Sequence, residues 1–111
     1  MKEERTYRDD VFDVTRLIPA GRATTYGHIA DYLALGSARM VGWALNKSFG
    51  EGYNIPAHRV VNRKGELSGR AHFNPPSLMQ EKLEAEGIKV ENDKIVDFKN
   101  VLWIPADELK F

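Results

Sequence analysis

The sequence contains no cysteine among its 111 residues. Disulfide bonds, thiolate metal sites and a cysteine nucleophile are therefore excluded. Long apolar runs are also missing, and the N-terminal stretch MKEERTYRDD lacks the apolar core of a signal peptide. We therefore expect a cytoplasmic protein that does not enter a membrane.

The chain also lacks net charge, because 16 Lys and Arg balance 16 Asp and Glu. The charges are nevertheless uneven: residues 37–74 hold six basic and two acidic side chains, which gives +4, while residues 1–36 carry −1 and residues 75–111 carry −3. A basic middle third is compatible with DNA binding, although a chance fluctuation in surface charge would give the same count. The length predicts one domain over residues 1–111.

Helical periodicity dominates the first half of the chain. Apolar residues at helical spacing predict a helix over Asp10–Ile18, which Pro19 ends. Thr25 suits the N-cap of a second helix, and Gly36 is expected to end that helix in a tight turn.

A third helix is predicted over Ala38–Lys47, with Ser37 as its N-cap. Its inward side chains are expected to be Met40, Val41, Ala44 and Leu45. Trp43 is expected in the core or at the seam between helices. Two short helices joined through a glycine turn are typical of a helix-turn-helix, which also occurs in proteins that never touch DNA.

The second half predicts small β elements around one more helix. A buried turn leads into a short strand over Ile55–Val61, and Asn62–Gly65 form a turn with a basic tip. The fourth helix is expected to start at Asn74–Pro75 and to close at Gly87. A hairpin is predicted around Asn92–Lys94, so the pattern indicates a mainly α fold with small β elements, close to a winged helix.

Three motifs carry a resemblance to a known family: Gly21–Gly27 (GRATTYG), Ser37–Gly42 (SARMVG) and Ile55–Val61 (IPAHRVV). In order and spacing they resemble the C-terminal DNA-binding domain of O6-alkylguanine-DNA alkyltransferases. They resemble more closely the alkyltransferase-like proteins, the branch that lacks the reactive cysteine. The likeness covers nearly the whole chain and implies a winged helix-turn-helix DNA-binding domain of the alkyltransferase type.

The third motif departs from the active enzymes at Ala57, where those enzymes carry cysteine between proline and histidine. Their chemistry needs a thiolate that attacks the alkyl carbon on guanine O6. The resemblance matches His58 to the proton-relaying histidine and Glu86 to the glutamate that orients it. We therefore expect no alkyl transfer and no catalytic residue. A remaining alternative is an enzyme in which His58 and Glu86 activate water, which product analysis by mass spectrometry would detect.

The resemblance also assigns DNA-handling roles. It implies that Tyr26 presses on the phosphate of the target nucleotide and that Arg39 enters the duplex through the minor groove, where a planar cation fills the gap left by the extruded base. Small residues at Ser37, Ala38 and Gly42 would let the helix approach the groove closely. Without the resemblance, Tyr26 would be a seam aromatic and Arg39 a solvated phosphate contact.

The resemblance further implies a pocket that receives the alkylated base. Its predicted residues are Pro56, Ala57, His58, Val60, Ser68 and Glu86. Alanine at position 57 leaves more room than cysteine, so bulky adducts are predicted to fit. Arg59 is expected to anchor the loop and not to contact DNA.

The expected function is therefore a non-enzymatic damage sensor. It would bind O6-alkylguanine in double-stranded DNA, flip the base into the pocket and flag it for nucleotide excision repair proteins. No cofactor and no metal are expected, and the protein is expected to act as a monomer. The alternative is a winged-helix DNA-binding protein without lesion specificity, which would bind normal and alkylated duplexes equally.

Overall fold

A computed structural model describes residues 5–49 and 53–109, and its first element is helix α1 (Tyr7–Leu17). The helix starts three residues before the predicted Asp10, so that prediction is wrong. Thr6 and Asp9 form a capping box: the Asp9 carboxylate accepts from the Thr6 backbone N–H at 2.9 Å, and the Thr6 hydroxyl accepts from the Asp9 N–H. The helix ends before Pro19, as predicted.

Helices α2 (Tyr26–Tyr32) and α3 (Ala38–Asn46) form the helix-turn-helix. The Thr25 hydroxyl accepts from the backbone N–H of His28 at 3.0 Å, which confirms the predicted N-cap. The predicted stop at Gly36 is wrong, because α2 ends at Tyr32 and the chain reverses through Ala34, whose φ is +56°.

The inner face of α3 is formed by Val41, Ala44 and Leu45, which are buried as predicted, while Met40 is half-buried. Ser37 occupies the predicted N-cap position, but its hydroxyl makes no capping hydrogen bond. α3 packs against both α1 and α2, so its inner side is fixed and its outer side is available to solvent.

Two short strands connect the helical part to the rest of the molecule. β1 (Thr24–Thr25) pairs in parallel with β2 (Val60–Val61), which follows a 3₁₀ turn at Ala57–Arg59. Because side chains alternate along a strand, Val60 enters the core formed by α1, α2 and α3, whereas Val61 enters a second core around α4 (Leu78–Ala85).

Helix α4 starts later than predicted. Its N-cap is Ser77, and Asn74–Pro75 lie outside it. Pro76 follows Pro75, and a residue before proline is disfavoured in helical conformation, so the prediction that Pro75 is the first helical residue is wrong. Gly87 follows the helix at a φ of +88°, which confirms the predicted close.

The remaining elements cover the second core. β3 (Val90–Glu91) and β4 (Lys94–Ile95) form the predicted hairpin. The short helices α5 (Phe98–Val101) and α6 (Pro105–Glu108) flank the buried Trp103. The mainly helical fold with small β elements is confirmed, and within the described ranges no helix is long and apolar enough to cross a membrane.

Candidate nucleic-acid interface

An open depression of about 450 Å³ lies between the outer face of α3 and the start of α2. It is lined by Tyr26, Ala38, Arg39, Gly42, Trp43 and Asn46. The structure therefore brings together four of the five predicted DNA-binding residues. The fifth, Ser37, is exposed at the N-cap of the same helix.

A second depression, of about 440 Å³, lies between Tyr26, Ala38 and the turn at residues 62–64. This turn is the wing, and it is closed by Gly65, whose φ of +80° favours glycine. None of the ion pairs among residues 5–49 and 53–109 uses Arg39, Arg63 or Lys64. The face that joins α3 and the wing therefore presents cations with no acidic partner in that part of the chain, which suits a phosphate backbone.

Trp43 is 56% exposed, so its predicted place in the core or at a helix seam is wrong. The spacing of residues along the helix indicates the exposed position of Trp43. Position 43 lies one turn after Arg39 and therefore shares its face, whereas Val41 and Leu45 point inward. Hydrophobicity alone was a misleading guide to its burial.

A small enclosed space of about 10 Å³ lies beside Ala57, which is 8% exposed. It is lined by Tyr26, Leu45, Asn46, Phe49, Ala57, Gly69 and Phe73. The rings of Phe49 and Phe73 meet edge to face with their centroids 4.8 Å apart. The two rings form part of the wall, and the space is too small to hold a nucleobase.

Of the six predicted pocket residues, only Ala57 borders this space. Pro56 and His58 line a separate depression of about 330 Å³ together with Arg16 and Lys82. Val60 is fully buried in the helical core. The two remaining predicted residues, Ser68 and Glu86, lie in different surroundings.

Ser68 is exposed and lies beside the Tyr26 side chain. Burial raises the pKa of the Tyr26 hydroxyl, and its interaction with Ser68 opposes that rise. At neutral pH Tyr26 is therefore a neutral phenol that can donate a hydrogen bond. Phe49, Phe73 and Asn46 were not identified from the sequence, since their positions depend on how the two cores meet.

Glu86 lies under the Ala57–Arg59 turn as the acceptor of a buried network. His58 Nε2 lies 2.8 Å from one carboxylate oxygen, and the Arg59 guanidinium donates to both oxygens, with its shortest contact at 2.6 Å. A third donor, the backbone N–H of Gly21, lies 3.3 Å away. Arg59 also donates to the carbonyl of Ile18 at 2.8 Å, so its predicted role as a loop anchor is confirmed.

This network determines the charge states beside the turn. Burial raises the pKa of Glu86, but the donors Arg59, His58 and Gly21 outweigh it and hold that pKa at about 2. Burial lowers the pKa of His58 below its usual range, although the Glu86 carboxylate opposes the change. At neutral pH the pair is therefore a neutral imidazole and a carboxylate that already serves three donors, which makes Glu86 a poor general base.

We expect the free energy of unfolding to fall in two steps as the pH decreases. The first lies below pH 6.5, because unfolded His58 takes up a proton that the folded protein resists. The second lies between pH 4.5 and about 2, because Glu86 is protonated first in the unfolded chain. Because solvent screens this partly buried carboxylate, the step corresponds to at most about 3 kcal/mol, and Asp9, whose pKa is lowered by its bond from Thr6, contributes in the same direction.

Urea unfolding at pH 7.5, 5.5, 4 and 3 measures both steps. In the variant His58→Gln the first step should shrink while the second persists. A wild-type stability that stays level between pH 7.5 and 5.5 would contradict a buried neutral histidine.

Gly69 allows the close approach of Tyr26, because a Cβ at position 69 would lie 2.8 Å from the tyrosine hydroxyl oxygen. The φ of Gly69 is −89°, which alanine adopts freely. We therefore expect Gly69→Ala to fold but to displace Tyr26 and weaken binding to alkylated duplex on the order of tenfold, or about 1.4 kcal/mol.

Fluorescence anisotropy with an O6-methylguanine duplex measures this effect. Gly36→Ala is the matched control, because a Cβ at position 36 meets nothing within 4 Å. If Gly69→Ala binds as well as the control, the position of Tyr26 does not matter for binding.

The chain is similar to several known proteins. Residues 6–88 match the family model described as 6-O-methylguanine DNA methyltransferase, DNA binding domain. Alkyltransferase-like protein 1 of Schizosaccharomyces pombe is 33% identical over 100 residues, which cover 86% of this chain and 92% of that protein. The DNA base-flipping protein of Escherichia coli is 35% identical over 106 residues, which cover 93% of this chain and 78% of that protein.

A solved structure shows the same fold. It is S. pombe Atl1 in complex with damaged DNA containing O6-carboxymethylguanine, at a TM-score of 0.77 and 29% identity. The match covers 90% of this chain and 98% of that chain.

Proposed function

This chain belongs to the family of 6-O-methylguanine DNA methyltransferase DNA-binding domains, in its cysteine-free alkyltransferase-like branch, and we propose that it recognises O6-alkylguanine in duplex DNA by base flipping. It has no cysteine, so it lacks the thiolate on which alkyl transfer by the active enzymes depends. The proposed role is a damage sensor and not a repair enzyme.

One juxtaposition carries this proposal. Tyr26 borders the outer depression with Arg39, the depression beside the basic wing and the enclosed space beside Ala57. The residues suited to DNA handling are therefore arranged around the position where the active enzymes hold their cysteine. This arrangement supports DNA binding that leads an extruded base toward Ala57.

The proposed mechanism starts with reversible, salt-dependent attraction between the basic face and the phosphates. Alkylation of O6 spoils the Watson–Crick edge of guanine, so extruding that base costs less than extruding a normal one. Arg39 then fills the gap in the stack while Tyr26 presses on the target phosphate. The alkyl group rests near Ala57, where each buried methylene adds about 0.8 kcal/mol.

Recognition without removal needs a downstream partner. We propose that the bound complex presents the lesion to nucleotide excision repair proteins, and that the protein acts as a cytoplasmic monomer made of one domain. The support for the repair partner is the family resemblance. Addition of the protein to an excision assay on an O6-alkylguanine duplex tests it, and an unchanged incision rate would refute it.

The deciding experiment compares two oligonucleotide duplexes that differ only in guanine or O6-methylguanine. Equilibrium binding at one fixed salt concentration should be tighter for the alkylated duplex. Equal affinities would refute lesion recognition and would favour a winged-helix protein without lesion specificity.

A further inference from the structure

The exposed indole of Trp43 has no role in the mechanism above. Of the two tryptophans in the chain, Trp103 is 4% exposed and Trp43 is 56% exposed. A single exposed apolar side chain is ordinary. The surroundings of Trp43 are what distinguish it.

Trp43 borders the same depression as Tyr26 and Arg39. Its lining also includes Ala38 and Gly42, whose side chains are too small to fill it. The result is an open site of about 450 Å³ whose lining includes two aromatic rings and a guanidinium. Its volume falls in the range of sites that hold a small ligand.

The enclosed space beside Ala57 cannot be the first place where an extruded base rests. Its volume is about 10 Å³, close to the roughly 10–15 Å³ needed by one water molecule. The outer depression adjoins it, because Tyr26 and Asn46 border both. A base that approached the inner space past Tyr26 and Asn46 would therefore meet the outer depression first.

We propose that the indole of Trp43, beside Tyr26 and Arg39, forms a stacking platform that binds the face of an extruded nucleobase before it reaches Ala57. This inference deepens the proposed function and rests on its base-flipping step. Trp43 lies about 6 Å along α3 from Arg39, so the indole is next to the gap that the guanidinium fills. Every nucleobase has a π-face, so the platform accepts extruded bases with or without an alkyl group.

The test uses three duplexes: a fully matched one, one with an unpaired guanine bulge, and one with O6-methylguanine. Binding of the bulged and alkylated duplexes should quench the Trp43 fluorescence more than binding of the matched duplex. Buried Trp103 supplies a constant background that the variant Trp43→Phe measures.

Two substitutions separate stacking from mere apolar contact. Trp43→Leu keeps an apolar side chain without a π-face, and we expect it to weaken bulged and alkylated binding about tenfold with less than a twofold effect on the matched duplex. Trp43→Phe should recover most of the loss. The control is Leu17→Ala, because Leu17 is 53% exposed on α1 and borders neither the outer depression nor the enclosed space beside Ala57.

The outcomes distinguish this inference from the proposed function. If Trp43→Leu retains wild-type affinity for the bulge while the preference for alkylated DNA persists, the platform is refuted and the sensor role stands. If the wild type does not prefer alkylated DNA but Trp43→Leu still loses bulge binding, the sensor role is refuted and the platform stands. An equal loss on all three duplexes would make Trp43 a general groove contact and would also refute the platform.

Discussion

Replacing Arg39 with alanine should remove most of the preference for alkylated DNA while only modestly reducing binding to normal duplex. Arg39 is exposed on the outer face of α3 and borders the depression shared with Tyr26. If its guanidinium fills the gap left by the extruded base, its loss leaves an unstacked cavity that costs about 2 kcal/mol, or roughly 30-fold in affinity. The same substitution removes one phosphate-attracting charge, which affects both duplexes alike.

The measurement is the ratio of dissociation constants for O6-methylguanine and guanine duplexes at one salt concentration. Arg63→Ala is the matched comparison, because Arg63 is a basic residue of the wing that borders the other depression. It should weaken binding to both duplexes equally and leave the ratio of their dissociation constants unchanged. An Arg39→Ala protein that keeps the wild-type ratio would contradict the intercalating role.

Replacing Glu86 with glutamine should cause a large loss of stability. The side chains of Glu86 and Arg59 are only 15% and 17% exposed, so the substitution leaves a guanidinium in a poorly solvated place without its counter-charge. Removing one partner of a buried pair typically costs about 3–5 kcal/mol, and partial solvent access puts the expected loss near the lower end of that range. The glutamine amide would also direct a donor toward the donors of Arg59 or His58.

Urea unfolding at pH 7.5 measures the effect. Glu84→Gln is the control, because this neighbouring acid is exposed and its side chain is paired only with Gln80 in the described part of the chain. It should change stability by less than about 0.5 kcal/mol. The double variant Arg59→Met, Glu86→Leu should recover only part of the loss, since it removes both charges but leaves His58, the Gly21 N–H and the Ile18 carbonyl without their partners. A Glu86→Gln protein as stable as the control would show that the carboxylate charge is not needed.

The features predicted correctly from sequence are those that depend on local chemistry. Thr25 caps α2 through its own hydroxyl, and Val41 and Leu45 follow helical periodicity into the core. The capping box of Thr6 was also local, but its reciprocal bond uses Asp9, a shorter side chain than the usual glutamate. The predicted start of α4 is wrong because Pro76 disfavours helical conformation at Pro75, so the helix begins only after Ser77 despite the capping preference of Asn74.

The candidate site depended on tertiary packing, and there the sequence was less informative. Tyr26 and the residues of α3 come together as the motifs indicate, because they lie on the adjacent helices α2 and α3. The predicted pocket residues come together only in part: His58 contacts Glu86 and shares a depression with Pro56, whereas Val60 is buried in the core and only Ala57 borders the enclosed space. The walls of the enclosed space, Phe49 and Phe73, come from distant segments without periodicity. Nothing in either segment alone indicates that they meet.

The parallel pairing of β1 with β2 has a consequence for the order of folding. Thr24 pairs with Val60, so the segment between them, which contains α2 and α3, must close into a loop before the Ala57 turn reaches its native position. Contacts within the helix pair are local and form fast, whereas non-local strand pairing is slow. We therefore expect the exposed face of α3, with Arg39, to form earlier than the Ala57 turn and the wing, so a partly folded chain would bind DNA without selectivity.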